Sequence, residues 1–217
     1  MNKIIINTQT VDVDVDTGKD FILSSGALPV PDGEGIIENT RLLTADACRK
    51  NRLIISLVDR HFNNELDREE LKTYGFHCMD GTPGQEKISE SLLTNRFYVP
   101  SFAINLGTLR NTVNYHQVIF GKQDVNGFYS KTNLGGNRNL EIAVRDVYRV
   151  KKAFFRGVCT DICVVINLFE FIRLEVECYL VTDAIRALDS KAGEQAVKRM
   201  EKEGVKLVTT EWVLENV

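Results

Sequence analysis

Residues Phe154–Phe171 read FFRGVCTDICVVINLFEF, and their hydrophobic pattern changes its period part-way along. The first part, from Ala153 to Val158, is short and apolar, which is typical of a buried strand. In the second part the apolar residues recur at helical spacing, at Val164, Val165, Leu168, Phe169 and Ile172. The pattern therefore predicts a buried strand that leads through a tight turn into a helix.

The turn between this strand and this helix places Cys163 in the first turn of the helix. Gly157 permits unusual backbone dihedrals, and Asp161 is a suitable cap for the helix. Unpaired N–H groups and the positive end of the helix dipole favour a thiolate at such a position. Cys163 is thus a candidate nucleophile, although a buried cysteine is also a small apolar side chain that packs in a core.

Strands and helices alternate over the rest of the chain. Other strands are predicted at the end of Met1–Val15 and at Leu53–Val58, His116–Phe120, Glu177–Thr182 and Val205–Thr209. Other helices are predicted from Ile36 to about Asn51 and at Leu106–Asn114, Leu140–Val150 and Ser190–Glu203. Such alternation predicts a parallel sheet that is covered on both faces. The predicted fold is α/β: one three-layer αβα domain over residues 1–217, with a mostly parallel, six-stranded, Rossmann-like sheet.

Two segments carry more specific expectations. Val11, Val13 and Val15 alternate with aspartates, which predicts a strand with one polar face. The region Phe62–Pro100 is long, polar and poorly periodic; it follows His61 directly and contains His77 and the sequence DGTPG. A loop of that length is usually functional or disordered, and these residues favour an ordered active-site loop.

Composition excludes several classes of function. The 217 residues carry a net charge of −3, which gives no electrostatic basis for binding nucleic acid or an anionic membrane. No apolar run approaches the ~20 residues of a membrane span, and no signal-peptide pattern is present, so we expect a cytoplasmic protein. The five cysteines are an odd number without C-x2-C spacing, which predicts reduced thiols rather than disulfides or a zinc knuckle.

Polar side chains accumulate where the predicted strands end. Ligands bind beyond the carboxyl ends of the strands in a parallel α/β sheet. The residues at or just past such ends are Asp16, Asp59, Lys122, Cys163 and Asp183. An amine favours a neighbouring thiolate and a carboxylate can carry its proton, so this combination predicts covalent catalysis by the thiol.

A second cluster combines a carboxylate with two imidazoles. Asp59 and His61 follow a predicted strand, and His77 lies in the long loop after them. Such ligands suit Zn²⁺, Fe²⁺ or Mn²⁺, although Asp-x-His alone is a weak signal. The third histidine, His116, begins a predicted strand and is interpreted as structural.

Five motifs in this order resemble those of the isochorismatase-like cysteine hydrolases, and the metal residues resemble the nicotinamidase branch. The motifs are DTGKDF (16–21), DRH (59–61), HCMDGTPG (77–84), Lys122 and GVCTDIC (157–163). The resemblance extends from Val11 to about Thr209. The last motif and HCMDGTPG are its most specific parts.

The resemblance implies a catalytic triad of Asp16, Lys122 and Cys163. It also implies a cis peptide bond between Val158 and Cys159, and an oxyanion hole formed by the N–H groups of Cys159 and Cys163. Members of the family often form homo-oligomers, which is the corresponding expectation here.

The resemblance further implies a divalent metal held by Asp59, His61 and His77. Zinc is the first candidate, with iron or manganese as alternatives. The acidic segment Glu65–Glu70 supplies possible further ligands, Asp67, Glu69 and Glu70. Most of them are interpreted as a solvent-exposed face.

Two positions depart from the family pattern and border the expected substrate pocket. Gly18 stands where the family usually has glutamine, and Arg60 stands where nicotinamidases usually have an aromatic residue. Arg60 would favour an anionic substrate, unless it forms a surface salt bridge. Phe21 remains as a wall on which a substrate ring would stack, with core packing as the alternative.

The predicted function is hydrolysis of a small carboxamide through a Cys163 thioester, with nicotinamide as the first candidate substrate. The alternative suggested by Gly18 and Arg60 is another amidase of the superfamily, acting on a ureido, carbamoyl or other small amide. A non-catalytic binding domain is a third possibility. A redox pair of Cys159 and Cys163 is disfavoured, because their spacing is not C-x-x-C.

Overall fold

The computed structural model describes residues 5–65 and 69–217, and within them seven strands form one parallel sheet. The strands are β1 (Asn7–Val15), β2 (Arg52–Asp59), β3 (Arg96–Val99), β4 (Gln117–Lys122), β5 (Lys152–Val158), β6 (Glu177–Arg186) and β7 (Lys206–Val208). Their order across the sheet is β3-β4-β2-β1-β5-β6-β7, and each neighbouring pair is parallel. The α/β class and the parallel sheet are therefore confirmed.

The helices alternate with the strands along the chain, as the sequence predicts, and the last helix follows β7. They are α1 (Lys19–Ile22), α2 (Ile37–Arg49), α3 (Glu69–Tyr74), α4 (Leu106–Asn111), α5 (Leu140–Ile142), α6 (Val165–Arg173), α7 (Ser190–Lys202) and α8 (Thr210–Asn216). Two of them join wider π-helical turns, Ala143–Val147 after α5 and Thr160–Val164 before α6. No helix among the described residues has the length and apolar character that crossing a membrane requires.

The predicted number of six strands is wrong, because β3 lies inside the region that was expected to be a loop. This edge strand has four residues, of which Arg96 and Tyr98 are exposed. A strand so short offers too few alternating residues to be recognised by its pattern. The helix α3 lies in the same region and has only six residues, too few for a helical period to be recognised.

The two faces of the sheet are covered by different helices. On one face, Val13, Leu57 and Phe120 pack with Val144 and Leu168 from the helical segments around α5 and α6. On the other face, Leu43 of α2 and Val213 of α8 pack against Phe154, Tyr179 and Val181. This arrangement is the predicted three-layer αβα architecture.

The polar face that the alternation predicts for β1 is buried. Asp12 and Asp14 are as buried as the valines between them. Their carboxylates instead contact three cationic side chains, which belong to Arg52, Lys87 and Arg156. The alternating pattern thus separates an apolar face from a buried, ion-paired face.

The carboxyl ends of β4, β2, β1 and β5 meet at one edge of the sheet. In the register of the strands, Asp59 lies beside Lys122, and Val15 lies between Leu57 and Gly157. Gly157 has φ +112°, and a Cβ atom there would lie 1.9 Å from the Val15 carbonyl oxygen. Only glycine therefore allows β5 to pass so close to β1 before the turn.

The predicted position of Asp183 at a strand end is wrong. β6 continues to Arg186, so Asp183 lies inside the strand. Its carboxylate accepts hydrogen bonds from the backbone and hydroxyl of Thr210, at 2.8 and 2.9 Å. Asp183 therefore anchors the start of α8 and is not part of the cluster at the sheet edge.

Candidate active site

Lys122, the last residue of β4, joins the groups that the sequence places at strand ends. Its Nζ lies 2.9 Å from Asp16 Oδ2 and 3.9 Å from Cys163 Sγ, and it donates a short hydrogen bond to Asp59 Oδ1. All four side chains are buried. The structure thus brings together Asp16, Lys122 and Cys163, with Asp59 on the same ammonium group.

The electrostatics of this group favour one proton carrier. Burial and the nearby Asp59 carboxylate raise the pKa of Asp16 to about 7, although Lys122 opposes the rise. Burial also raises the pKa of Asp59, but Lys122 and the two histidines outweigh it and hold that pKa below the usual value. Burial alone would lower the pKa of Lys122, but the carboxylates of Asp16 and Asp59 raise it well above the usual value. Asp16 is therefore the carboxylate that can gain and lose a proton near neutral pH.

Cys163 ionises less readily than its position at the start of a helix favours. Burial raises the pKa of the Cys163 thiol well above its usual value, and Lys122 only partly offsets this. The helix-start position does not overcome removal from water. The raised pKa favours the neutral thiol, so a nucleophilic role for Cys163 would need a base to take its proton.

The turn that carries Cys163 differs from the prediction in its cap. The peptide bond between Val158 and Cys159 is cis, as the resemblance implies. Asp161 does not cap the helix, since its carboxylate accepts hydrogen bonds from the amides of Leu188 and Asp189, both at 2.9 Å. The carboxylate thereby fixes the turn to the loop between β6 and α7.

The predicted metal residues also come together, with one addition. Ligand atoms of Asp59, His61, Glu70 and His77 all lie within 4.8 Å of one another. Asp59 ends β2 and His61 follows it, while Glu70 lies in α3 and His77 lies beyond that helix. Of the acidic residues proposed as further ligands, Glu70 joins the cluster, Glu69 is exposed, and Asp67 lies outside the described residues.

The cluster fits a divalent cation by its donors and their orientation. His77 Nδ1 contacts the Gly75 carbonyl oxygen at 2.8 Å, which turns Nε2 toward Asp59 Oδ2 and Glu70 Oε1, both at 3.8 Å. A metal-binding histidine typically holds a backbone carbonyl through its second nitrogen in this way. Asp59 Oδ2 and Glu70 Oε2 are buried oxygens without a hydrogen-bond donor among the described residues. Two carboxylates and two imidazoles are a ligand set that Zn²⁺ accepts.

The residues expected to border the substrate pocket lie in different surroundings. Phe21 is buried, and its ring centroid is 5.2 Å from that of His77, so it lies beside the metal cluster as well as in the core. Arg60 Nε lies 2.6 Å from Asp80 Oδ1, and its side chain is 45% exposed. Arg60 is therefore a surface ion-pair partner. At Gly18 an added Cβ would meet nothing closer than 3.6 Å, so space does not require glycine there.

His116 lies away from the cluster, whereas Tyr74 lies near it. His116 contacts Asn51 at 3.2 Å and Asn95 at 3.1 Å, away from the cluster, as its structural interpretation requires. Tyr74, which the sequence analysis missed, ends α3. Burial, followed by the charge that Cys163 and Cys159 would carry when ionised, raises its pKa. Its position three residues before His77 is the sequence signal that could have identified it as a residue near the site.

The match to a family model agrees with this geometry. Residues 110–212, just under half of the chain, match the Isochorismatase domain. That segment contains Lys122 and Cys163, and the remaining buried groups come from the half of the chain before it. No curated protein matches the sequence.

Solved structures extend the isochorismatase-like fold over nearly the whole chain. A pyrazinamidase of Pyrococcus horikoshii in complex with zinc is 24% identical, with a TM-score of 0.71, and the match covers 93% of this chain and 99% of that one. A pyrazinamidase/nicotinamidase from Streptococcus mutans is 19% identical, with a TM-score of 0.72 and coverage of 92% and 99%. An N-carbamoylsarcosine amidase from Thermoplasma acidophilum is 20% identical, with a TM-score of 0.68 and coverage of 94% and 97%. These likenesses establish the fold as that of the isochorismatase-like hydrolases.

Proposed function

We propose that this protein hydrolyses a small carboxamide to a carboxylic acid and ammonia, with nicotinamide as the first candidate substrate. One observation carries the proposal: Lys122 Nζ lies 2.9 Å from Asp16 Oδ2 and 3.9 Å from Cys163 Sγ. A base, a cation and a nucleophile within such reach are the parts that covalent acyl transfer needs. The likeness to pyrazinamidases and nicotinamidases supports an amide as the substrate.

In the proposed acylation, Asp16 takes the proton of the Cys163 thiol as Sγ attacks the amide carbon. The amides of Cys159 and Cys163 would hold the oxygen that becomes negatively charged. Asp16 then returns the proton to the departing nitrogen, so ammonia leaves and a thioester remains on Cys163. The ammonium group of Lys122 keeps Asp16 ionised at the start and stabilises the sulfur as it loses its proton.

In the proposed deacylation, Asp16 takes a proton from water as its oxygen attacks the thioester carbon. The acid is released, and the same proton returns to Cys163. A divalent metal held by Asp59, His61, Glu70 and His77 would supply a Lewis acid that binds a ring nitrogen or another polar group of the substrate.

The proposal is tested by measuring ammonia release from nicotinamide, pyrazinamide, ureido compounds and N-carbamoyl amino acids. We expect turnover of at least one neutral amide, and loss of that turnover in Cys163→Ala with unchanged zinc content. Cys159→Ala is the matched control, because only the backbone of Cys159 has a proposed role, so it should keep most of the activity. Full turnover by Cys163→Ala would exclude the thioester mechanism, and loss of all turnover in both variants would favour a role for the two thiols together.

The second candidate is hydrolysis of a carbamoyl or ureido group, which the likeness to an N-carbamoylsarcosine amidase favours. Arg60, the expected partner of an anionic substrate, forms an ion pair with Asp80 through Nε. The same panel separates the candidates. Turnover of N-carbamoyl amino acids without turnover of nicotinamide would establish the second.

A further inference from the structure

Asp16 departs from β1 in a strained backbone conformation. Its φ is +51°, in the left-handed region that residues other than glycine rarely adopt. Strand alternation alone would put Asp16 on the face of Asp12 and Asp14. Lys122 and Asp59 belong to the opposite face, which they share with Leu57 and Val15. The left-handed turn therefore lets the Asp16 carboxylate reach Lys122.

A buried lysine that the proposed mechanism does not use lies directly behind this turn. Lys87 Nζ donates to Asp14 Oδ2 at 2.7 Å and to Thr17 Oγ1 at 2.6 Å. The Thr17 hydroxyl in turn donates to Asp14 Oδ1 at 2.9 Å. The three side chains are thus all hydrogen-bonded to one another, and two of them, Asp14 and Thr17, lie on either side of Asp16 in the sequence. The Lys87 and Asp14 side chains are 1% and 0% exposed.

Backbone contacts fix the same segment to the residues around Lys87. Ile88 N donates to the Thr17 carbonyl at 3.0 Å, and Lys19 N donates to the Glu86 carbonyl at 2.8 Å. Gly18 pairs with Lys87 as an antiparallel bridge. The loop that contains Lys87 thus holds the chain just past Asp16 by both its backbone and its side chain.

We propose that Lys87 is a positioning residue, which through Thr17 and Asp14 holds the left-handed turn that presents the Asp16 carboxylate to Lys122 and Cys163. The inference rests on the proposed function for the role of Asp16. The alternative is that Lys87 only balances the buried charge of Asp14. If Lys87 only balances charge, removing both charges together should leave kcat unchanged. If Lys87 positions Asp16, kcat should fall.

The test compares Lys87→Met/Asp14→Asn, Thr17→Val and Lys206→Met with the wild type. The double variant removes both buried charges, Thr17→Val removes the hydroxyl link but keeps the ion pair, and Lys206→Met removes a surface lysine that is paired with Glu177. A misplaced catalytic group costs about a hundredfold in rate. We expect kcat to fall by about that factor in the first two variants with KM within about twofold, and no change in Lys206→Met.

Thermal unfolding separates positioning from stability. If the double variant unfolds near the wild-type temperature and keeps wild-type kcat, the proposal is overturned. If the double variant does not fold, Thr17→Val decides, and wild-type kcat in that variant overturns the proposal as well.

A second readout does not need a substrate. The rate at which iodoacetamide alkylates Cys163, followed by peptide mass spectrometry, depends on Asp16 as the acceptor of the thiol proton. We expect the rate to fall in Thr17→Val and in the double variant, as we also expect in Asp16→Asn. If the wild type hydrolyses no amide, the proposed function fails, whereas equal alkylation of Cys163 in all folded variants overturns the positioning role separately.

Discussion

The two carboxylates at the site share one ammonium group but differ in their other neighbours. Lys122 contacts both Asp16 and Asp59, but Asp59 also faces His77 and the rest of the metal cluster. More positive charge therefore surrounds Asp59 than Asp16, and it lowers the pKa of Asp59. The negative Asp59 carboxylate in turn raises the pKa of Asp16. Neighbouring carboxylates whose surroundings separate their pKa values commonly serve different roles. Here one carboxylate is available to carry a proton and the other to hold a metal.

The pH dependence of turnover should report Asp16. Its pKa of about 7 means that the carboxylate is protonated, and cannot accept the thiol proton, at lower pH. We expect kcat/KM to rise with pH through an apparent pKa of about 7. Steady-state rates across this range check it, with circular dichroism to show that the protein stays folded. A kcat/KM that is constant through this range would show that another group takes the proton.

At the scale of elements, the helix α3 brings a fourth candidate metal ligand to those that β2 and its following loop provide. Glu69 and Glu70 are adjacent in this helix, yet Glu69 is exposed and the Glu70 side chain is only 8% exposed. Successive residues of a helix point in directions about 100° apart, so one carboxylate faces the cluster and the other faces solvent. The pair provides a matched test of the metal site.

Replacing Glu70 with glutamine should weaken metal binding, while the same change at Glu69 should not. Loss of a residue that only orients a metal ligand typically lowers affinity by about 10–100-fold, so loss of a ligand should lower zinc affinity by at least about tenfold. Competition with a chromophoric chelator measures the affinity, and elemental analysis measures the zinc retained on purification. Equal affinities of the two variants would show that α3 contributes no ligand.

The contact between β1 and β5 should make Gly157 irreplaceable. In Gly157→Ala the new Cβ would collide with the Val15 carbonyl, one residue before Asp16. We expect a loss of about 3 kcal/mol or more in the free energy of unfolding, because neither strand can move without breaking the sheet. Urea denaturation measures this loss.

Gly204→Ala is the control for the effect of a positive φ alone. Gly204 has φ +89°, and a Cβ atom there would meet nothing within 4 Å. This variant should lose only about 1 kcal/mol. Equal losses in the two variants would mean that the close approach of the strands has no energetic consequence.

At the scale of the whole molecule, the sheet has an ion-paired layer on the face that α2 covers. Arg52 bridges Asp12 on β1 and Asp46 on α2, both at 2.9 Å. Arg156 on β5 lies 3.3 Å from Asp12 and 2.8 Å from the Thr44 hydroxyl of α2. Buried charges tolerate the loss of one partner poorly, because the other charge is left without compensation. This layer therefore fixes how α2 docks on the sheet.

Arg156→Met should destabilise the protein by about 3–5 kcal/mol, because it removes a cation shared by Asp12 and Asp14. Arg145→Met is the control, since Arg145 forms ion pairs with Glu141 and Asp146 on the surface and its loss should not measurably change stability. Urea unfolding of both variants checks the difference. A stable Arg156→Met variant would show that the remaining cations compensate both aspartates.

The sequence by itself determined the features that depend on local pattern. Alternating strands and helices indicate a parallel sheet, and the carboxyl ends of such strands share an edge, so Asp16, Asp59 and Lys122 could be placed together in advance. Cys163 and His61 follow strand ends closely. The motif order added His77, which lies in the long loop after β2.

Only the tertiary structure decided what surrounds those residues. The partners of Asp12 and Asp14 lie 40, 73 and 144 residues away along the chain, so a polar position that is buried and paired has the same local pattern as one in solvent. For the same reason the sequence could not predict that Arg60 pairs with Asp80, or that Lys87 contacts the residues on either side of Asp16. Burial, which raises the pKa of both Cys163 and Asp16, depends on the packing of the whole molecule.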